Sequence, residues 1–380
     1  VPLDDYQAKR DFKVTPEPRG KRGAAAKPKT TRAPDGGRAA DVRRFVIQEH
    51  HARALHWDLR LEHEGTLASW AVPKGIPADP HDNRLAVRTE DHPMEYLEFH
   101  GEIPRGQYGA GTMKVWDHGR YEMVKWEPRE VIVDFSGERV RGRYVLFQTG
   151  GKQWMIHRMD PPEDPDRVAP PADFRPMRAS AGKRRPSGDG WAFEMSWLGV
   201  RASALVQGGR VRVQGAAGDD VTAVFPELRG LGLQLGATEV LLDGVVTAIG
   251  SDGRPDHDAA AGRLAATDGR AAARLAKQVP AVLMVFDVVW LDGRLLVDRP
   301  YSERRRALEG LGLGGAAWQT PPVERGDGGR AADAARALGF DAIVAKRLDA
   351  VYEPGAVARA WVEVPVPKRA APRPKKEGRA

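Results

Sequence analysis

HHARALHWDLRLE, His50 to Glu62, is the stretch on which the reading of this chain turns. From Leu55 onward apolar and polar residues alternate, the period of a strand with one face on a core. Leu55, Trp57, Leu59 and Leu61 share one face; His56, Asp58, Arg60 and Glu62 share the other. Same-face neighbours on a strand lie roughly 7 Å apart, so His56 and Asp58 can grip one divalent ion, and His50 can return from the preceding run as a third ligand. Arg60 then stands beyond that ion, with a fork suited to a phosphate. Ligands of N and O type without sulfur suit Mn, Zn or Fe. A solvated strand face with incidental charges remains the plainer alternative for these residues alone.

Around this strand, residues 44–160 hold short runs of the same kind, among them RFVIQEH, ASWAVPK, RLAVRTE, TMKVWDHG, GRYVLFQ and QWMIHRMD, parted by Gly, Pro and Asp turns. Closely spaced short strands predict a mainly β domain, barrel-like or a sandwich. Residues 1–18 read as a mixed-charge arm and 19–43 as a basic flexible linker rich in Gly, Ala, Pro, Lys and Arg. A second linker is expected over 161–188. An α+β domain follows over 189–366, with strands in EVLLDGVVTAI and AVLMVFDVVWLDG and helices in SERRRALEGL, where Ser302 is placed to cap, and GGRAADAARALG. Residues 367–380 read as a basic, disordered tail.

The chain has 380 residues, a net charge of +7 and no cysteine. Disulfides, thiolate zinc sites and a cysteine nucleophile are thereby excluded. The basic balance favours a polyanionic partner. No apolar run is long enough to span a bilayer and no secretory segment is visible, so a soluble cytoplasmic protein is expected, without membrane partners.

Three further stretches extend the pattern. RTEDHPMEY places Glu90, His92 and Tyr96 around Pro93, and GEIPRGQYGAGTMKVWDHG carries Gly106, Gly109 and Gly111 without the ending of a phosphate-binding P-loop. With KRDFKVTPEP before them, these motifs in this order closely resemble the 3′-phosphoesterase domain of bacterial DNA ligase D, over roughly residues 3–160. The resemblance implies a compact β-barrel acting on DNA 3′ ends in double-strand break repair by non-homologous end joining. Such a domain removes a terminal ribonucleoside and then the 3′-phosphate, with manganese preferred. It implies His50, His56 and Asp58 as metal ligands and Arg60, His92 and Tyr96 at the scissile phosphate. Lys74, Arg84, Gln48 and Glu90 would support the site, Lys74 and Arg84 through the phosphate, and Arg10, Asp11 and Glu17 of the arm would assist the ribonuclease step. His92 would serve as acid or base for the departing oxygen. Arg105 stands where the family commonly has an acid, a departure expected to tune DNA binding. Expected partners are primer-template ends bearing a ribonucleotide or 3′-phosphate, with Ku and a separate ligase or polymerase as candidates, in a bacterial, nucleoid-associated setting.

WAFEMSWLGVRA, 191–202, resembles the nucleotidyl-transfer motif of ATP-dependent DNA ligases. Ser196 stands where the lysine nucleophile belongs and Leu198 where its aspartate belongs. Further on, Val245 replaces a glutamate, and Glu363 and Pro365 replace two lysines. The motif order implies an adenylation-type fold over 189–366. The losses imply no covalent AMP and no ligase activity, because a serine without an adjacent base does not replace an activated amine. Such a module would bind DNA or a partner. A chain whose first half had also lost its chemistry would be a DNA-end-binding scaffold, the alternative reading of the whole.

Overall fold

The computed structural model describes residues 3–20, 41–162, 164–250, 254–266 and 268–366. Most of the expected basic linker and all of the expected tail lie outside the described residues. The described residues divide into two compact units, one running to Arg167 and including Gln207–Arg210, the other beginning at Val168.

In the first unit nine strands follow one another: β1 (Val42–His51), β2 (Leu55–His63), β3 (Thr66–Val72), β4 (Asn83–Arg88), β5 (Gly101–Ile103), β6 (Gly111–Glu127), β7 (Glu130–Gly137), β8 (Arg141–Gly150) and β9 (Gln153–Arg158). Eight pair in the order β1-β2-β3-β4-β9-β8-β7-β6, and β6 returns to β1, closing an antiparallel barrel; β5 rides on β6. Closure leaves no free edge among the eight. The turn between β2 and β3 shows how the sequence sets register. Glu64 and Gly65 both take positive φ, 49° and 80°, the geometry of a two-residue hairpin whose twist matches its strands.

Alternation then sorts the two faces. One face carries aromatic rings into contact across the barrel: Phe45 with Phe135, 4.7 Å between centroids, and Trp70 with Trp154, 5.7 Å. The opposite face of β1–β3 carries Gln48, His50, Asp58, Arg60 and Ser69, all buried. A second apolar layer covers it, built from Tyr6, Leu67, Tyr96, Ile103 and Met113 with Phe12, Met94, Leu97 and Phe99 around them. Tyr6 sits on the short helix α1 (Asp4–Ala8) and Tyr96 on a 3-10 turn, Met94–Leu97. The arm read from residues 1–18 is therefore part of this unit.

The second unit is α+β. One five-stranded sheet contains Trp191–Met195, Ala342–Arg347 and Val357–Pro365; a larger one is centred on Val200–Gln207, Val240–Ile249 and Ala281–Leu291. Two helices, Tyr301–Gly310 and Gly329–Leu338, fall where the sequence places them.

Two expectations need correction. The stretch 161–188 is not a linker throughout: Phe174 and Met177 are buried with Leu241, Trp290 and Trp361, and Arg178–Ala181 pairs in parallel with Val357–Pro365. Its proline and charge content hides two apolar anchors too widely spaced to show a period. Ser302 does not cap its helix. Pro300 holds the N-cap position, and the Tyr301 and Ser302 amides donate to the Ala350 and Leu348 carbonyls, at 2.8 and 2.9 Å. Backbone carbonyls already satisfy the donors that a cap would serve.

Candidate functional site

Register brings the polar residues of the first unit together. β1 and β2 run antiparallel with His50 opposite His56, Gln48 opposite Asp58 and Val46 opposite Arg60. β3 places Ser69 opposite Arg60. Ligating atoms of His50, His56 and Asp58 lie within 4.8 Å of one another.

The hydrogen bonds around the two imidazoles decide what they can offer. His50 Nε2 lies 2.9 Å from the Gly109 carbonyl, and His56 Nδ1 lies 3.0 Å from the Ala54 carbonyl. A carbonyl only accepts, so those nitrogens carry the hydrogens. In neutral rings the lone pairs then sit on His50 Nδ1, 3.4 Å from Asp58 Oδ2, and on His56 Nε2, 3.7 Å from Asp58 Oδ1. His50 Nδ1 is buried without a hydrogen-bond partner. Three electron-rich atoms facing one another call for a shared cation, and the N,N,O set suits a divalent metal whose histidines are oriented through their other nitrogen.

Arg60 lies behind this set. It is 2% exposed, and it donates to Gln48 Oε1 at 2.7 Å, Ser69 Oγ at 3.1 Å and Asp58 Oδ2 at 3.1 Å. Gln48 in turn donates to the Tyr96 and Phe99 carbonyls, at 3.0 and 2.7 Å. Burial alone would raise the Asp58 carboxyl; the Arg60 guanidinium beside it, the largest opposing cause, holds it well below the usual carboxylate range. Asp58 is thus a permanent anion.

The arm supplies the second half of the site. Arg10 pairs with Glu17 at 2.7 Å and Glu90 at 3.0 Å, and its Nη2 lies 3.3 Å from His92 Nε2. His92 Nδ1 donates to the Glu90 carbonyl at 2.8 Å. Burial first, then Arg60 and Arg10, pushes His92 well below its usual value. With Nδ1 donating to the Glu90 carbonyl and Arg10 Nη2 facing Nε2, that Nε2 is an acceptor in this structure. The Tyr96 hydroxyl donates to Glu17, whose other oxygen accepts from Thr15 Oγ1 at 2.7 Å. Tyr96 is 1% exposed and committed to the arm, so the structure does not aim its hydroxyl at an open phosphate position.

Three expected residues stand apart. Asp11 closes a turn by accepting from the Lys13 amide at 3.0 Å. Lys74 is exposed, and Arg84 donates to the Lys74 carbonyl at 2.5 Å and to Asp82 at 3.2 Å. Arg84 thus shapes the loop after β3. Conversely, Ser69, Thr15 and the Gly109 carbonyl were not singled out by sequence. Ser69 shares the inward-polar face of ASWAV and could have been found by alternation; the other two depend on tertiary approach.

The second unit holds a cavity of about 520 Å³ lined by, among others, Glu194, Ser196, Arg201, Val245, Phe286, Lys346, Trp361 and Glu363. Ser196 Oγ donates to Glu363 at 2.5 Å. Lys346 is ion-paired with Glu194 and lies 4.1 Å from the Trp361 ring centre. Arg201 donates to Asp243 at 2.6 Å, as does the Tyr352 hydroxyl at 2.6 Å. Burial, outweighing Arg201, pushes Asp243 up to about 6. Of the altered ligase positions, Ser196, Val245 and Glu363 line the cavity. Leu198 is exposed outside its lining, and Pro365 is exposed on its strand.

Comparison with known proteins follows the same division. Residues 48–148 match the family described as the DNA Ligase D 3′-phosphoesterase domain, and residues 176–364 the ATP dependent DNA ligase domain. The multifunctional non-homologous end joining protein LigD of Mycolicibacterium smegmatis is 40% identical over 373 residues, which is 95% of this chain and 45% of that protein. LigD of Pseudomonas aeruginosa is 35% identical, over 82% of this chain and 40% of its own length. This chain thus spans less than half the length of these curated relatives. A solved ligase domain of M. tuberculosis LigD is 32% identical and covers 51% of this chain and 60% of that one, with a TM-score of 0.44. Among the described residues no helix is long and apolar enough to cross a membrane.

Proposed function

From a chain that joins a DNA ligase D 3′-phosphoesterase domain to an ATP-dependent DNA ligase domain, and whose homologues are LigD proteins, we propose a metal-dependent DNA 3′-end-processing enzyme for non-homologous end joining. The observation that carries this reading is the convergence of the His50, His56 and Asp58 ligating atoms within 4.8 Å, with unpaired lone pairs facing an ionised carboxylate. These three residues would hold the ion, with Mn²⁺ the candidate. The chemistry such an ion supplies is polarisation of a phosphoryl oxygen and activation of a water.

The chain's own residues do the rest. Asp58 brings negative charge that a cation needs, and Arg60 keeps that carboxylate ionised and fixed. Gln48 ties Arg60 to the turn carrying Tyr96. Arg10 presents a cation beside His92, where phosphoryl oxygens gain charge in the transition state. His92 Nε2 accepts a proton or a hydrogen bond from the reacting group. Glu17, Glu90 and Tyr96 hold Arg10 in place. Lys74 meets the DNA strand outside this core, on a loop that Arg84 shapes.

For the second domain the reading is a ligase-type module without ligase activity. Ser196 offers no amine to adenylate. Lys346 is neutralised by Glu194, and Glu363 adds a carboxylate to the cavity where the family motif carries a lysine. Partners on this reading are DNA 3′ ends with a terminal ribonucleotide or phosphate, with Ku and a separate ligase or polymerase completing the joining.

The test is release of inorganic phosphate from a primer-template bearing a 3′-phosphate, with and without Mn²⁺. Turnover that requires the ion and is abolished in Asp58→Ala supports the proposal. No turnover by the unmodified chain with Mn²⁺ or other divalent ions would overturn it and leave a DNA-end-binding scaffold.

A further inference from the structure

Among the described residues one aromatic ring stands out: Tyr108 is 49% exposed, and every other large apolar side chain that is exposed is aliphatic. Large rings are normally buried, and an exposed ring beside a site points to a contact. Tyr108 lies in the loop between β5 and β6, and two separate links tie it to the metal and phosphate residues. Through the backbone, the next residue is Gly109, whose carbonyl holds His50 Nε2 at 2.9 Å. Consecutive Cα atoms are about 3.8 Å apart, so the ring hangs within one residue of the group that orients a ligand. Through space, Arg10 lies 5.5 Å from the ring centre while its Nη2 is 3.3 Å from His92 Nε2. Lys9, paired with Glu90 at 2.9 Å, lies 4.8 Å from the same ring.

The loop is built to hold this position. Gln107 and Ala110 amides close successive turns onto Pro104 and Gln107 carbonyls, each at 3.2 Å. Gly111, at φ 148°, comes so close to β1 that a Cβ would fall 2.4 Å from the His51 carbonyl oxygen, so no other residue lets the loop seat there. Arg105, in the same loop, is also exposed. A solvent-facing ring with two cations over it, both held by Glu90, keeps a face for a base beside positive charge, the combination that proteins use on single strands.

We infer that Tyr108 stacks on the base of the DNA strand's 3′-terminal nucleotide, the one whose phosphate enters the His92–Asp58 site, and so selects ends that carry a base there. This rests on the end-processing reading above. The experiment is a cycle on the full chain: wild type, Tyr108→Ala and Tyr108→Phe, each with a 3′-phosphate primer-template whose terminal nucleotide is either intact or abasic. Steady-state phosphate release gives kcat and KM, and fluorescence anisotropy in chelator gives Kd for the same DNAs. Tyr108→Ala is expected to raise KM and Kd on the intact DNA about tenfold, from stacking alone, with kcat little changed. Tyr108→Phe should match wild type. The abasic end should weaken wild type by a similar factor and Tyr108→Ala no further. If Tyr108→Ala binds intact DNA as wild type does, or loses as much again on the abasic end, the inference is wrong. If wild type binds but does not turn over, the processing reading fails, and the binding cycle still decides the role of Tyr108.

Discussion

Asp58 and Gln48 show how the site works at the scale of single residues. Asp58 meets both histidines and Arg60, while Gln48 spends its three bonds on Arg60 and two carbonyls. Replacing Gln48 with Leu keeps the size but frees the Arg60 fork. The expected result is a loss of about 10- to 100-fold in Mn²⁺ affinity or turnover, the usual effect of removing a supporting partner, read by metal titration of activity. Unchanged metal dependence would mean that Arg60 is held by Ser69 and Asp58 alone. A second residue carries a pH signature. Asp243 is raised to about 6 in the folded state from 3.8. Such a group contributes fully below about pH 4 and loses that contribution as pH rises through about 6, by on the order of 2–3 kcal/mol. The stability difference between wild type and Asp243→Asn, followed by urea unfolding from pH 4 to 7, should shift against wild type across that window. A flat difference would contradict it. Much of this scale was legible in sequence, because alternation alone puts His56, Asp58 and Arg60 on one face. Gly109 and Thr15 were not, because a carbonyl 59 residues from His50 is found only by folding.

At the scale of elements, the arm is the part that most changes the site. Its composition reads only as a mixed-charge arm, yet Tyr6 is fully buried and its ring meets His92 at 5.1 Å and Tyr96 at 5.9 Å. Three aromatic rings and the Arg10–Glu17 pair make it a lid packed on the outer wall of the barrel. A one-turn helix has no period to read, so composition and spacing do not show its docking; only the resemblance brings Arg10 and Glu17 to the site. Tyr6→Ala removes a buried ring worth about 3–5 kcal/mol of packing. Because the arm contributes no strand to the barrel, that loss should fall on docking. Hydrogen exchange should show residues 3–20 losing protection while β1–β3 keep theirs, with 3′-end activity reduced. Equal loss of protection in the barrel strands would show that arm and barrel fold as one cooperative unit. Most of the barrel was readable as separate short apolar runs, though β7 was not singled out; the edge strand Arg178–Ala181 was not readable, being four residues of mixed character.

At the scale of the whole molecule, one chain joins a unit matched by the DNA Ligase D 3′-phosphoesterase domain to one matched by the ATP dependent DNA ligase domain, and the two gather different residues. In the first, candidate ligands, supporting partners and arm converge. In the second, Ser196 and Glu363 both line the cavity and are hydrogen-bonded to each other. Incubation with labelled ATP and a divalent metal should leave no covalent label on the chain. Ser196→Lys alone should restore none, because Glu363 leaves a carboxylate in the cavity and Lys346 stays bound to Glu194. Labelling of the unmodified chain would overturn the ligase-inactive reading. The most direct measurement is on the first domain. A 5′-labelled primer-template ending in one ribonucleotide would be followed over time with Mn²⁺, using wild type and Asp58→Ala. Wild type should shorten the primer by one nucleoside, leaving a 3′-phosphate, and then remove that phosphate, with neither product from Asp58→Ala. An unshortened primer with wild type, or equal processing by Asp58→Ala, would contradict the assignment of this strand pair as a 3′-end-processing site.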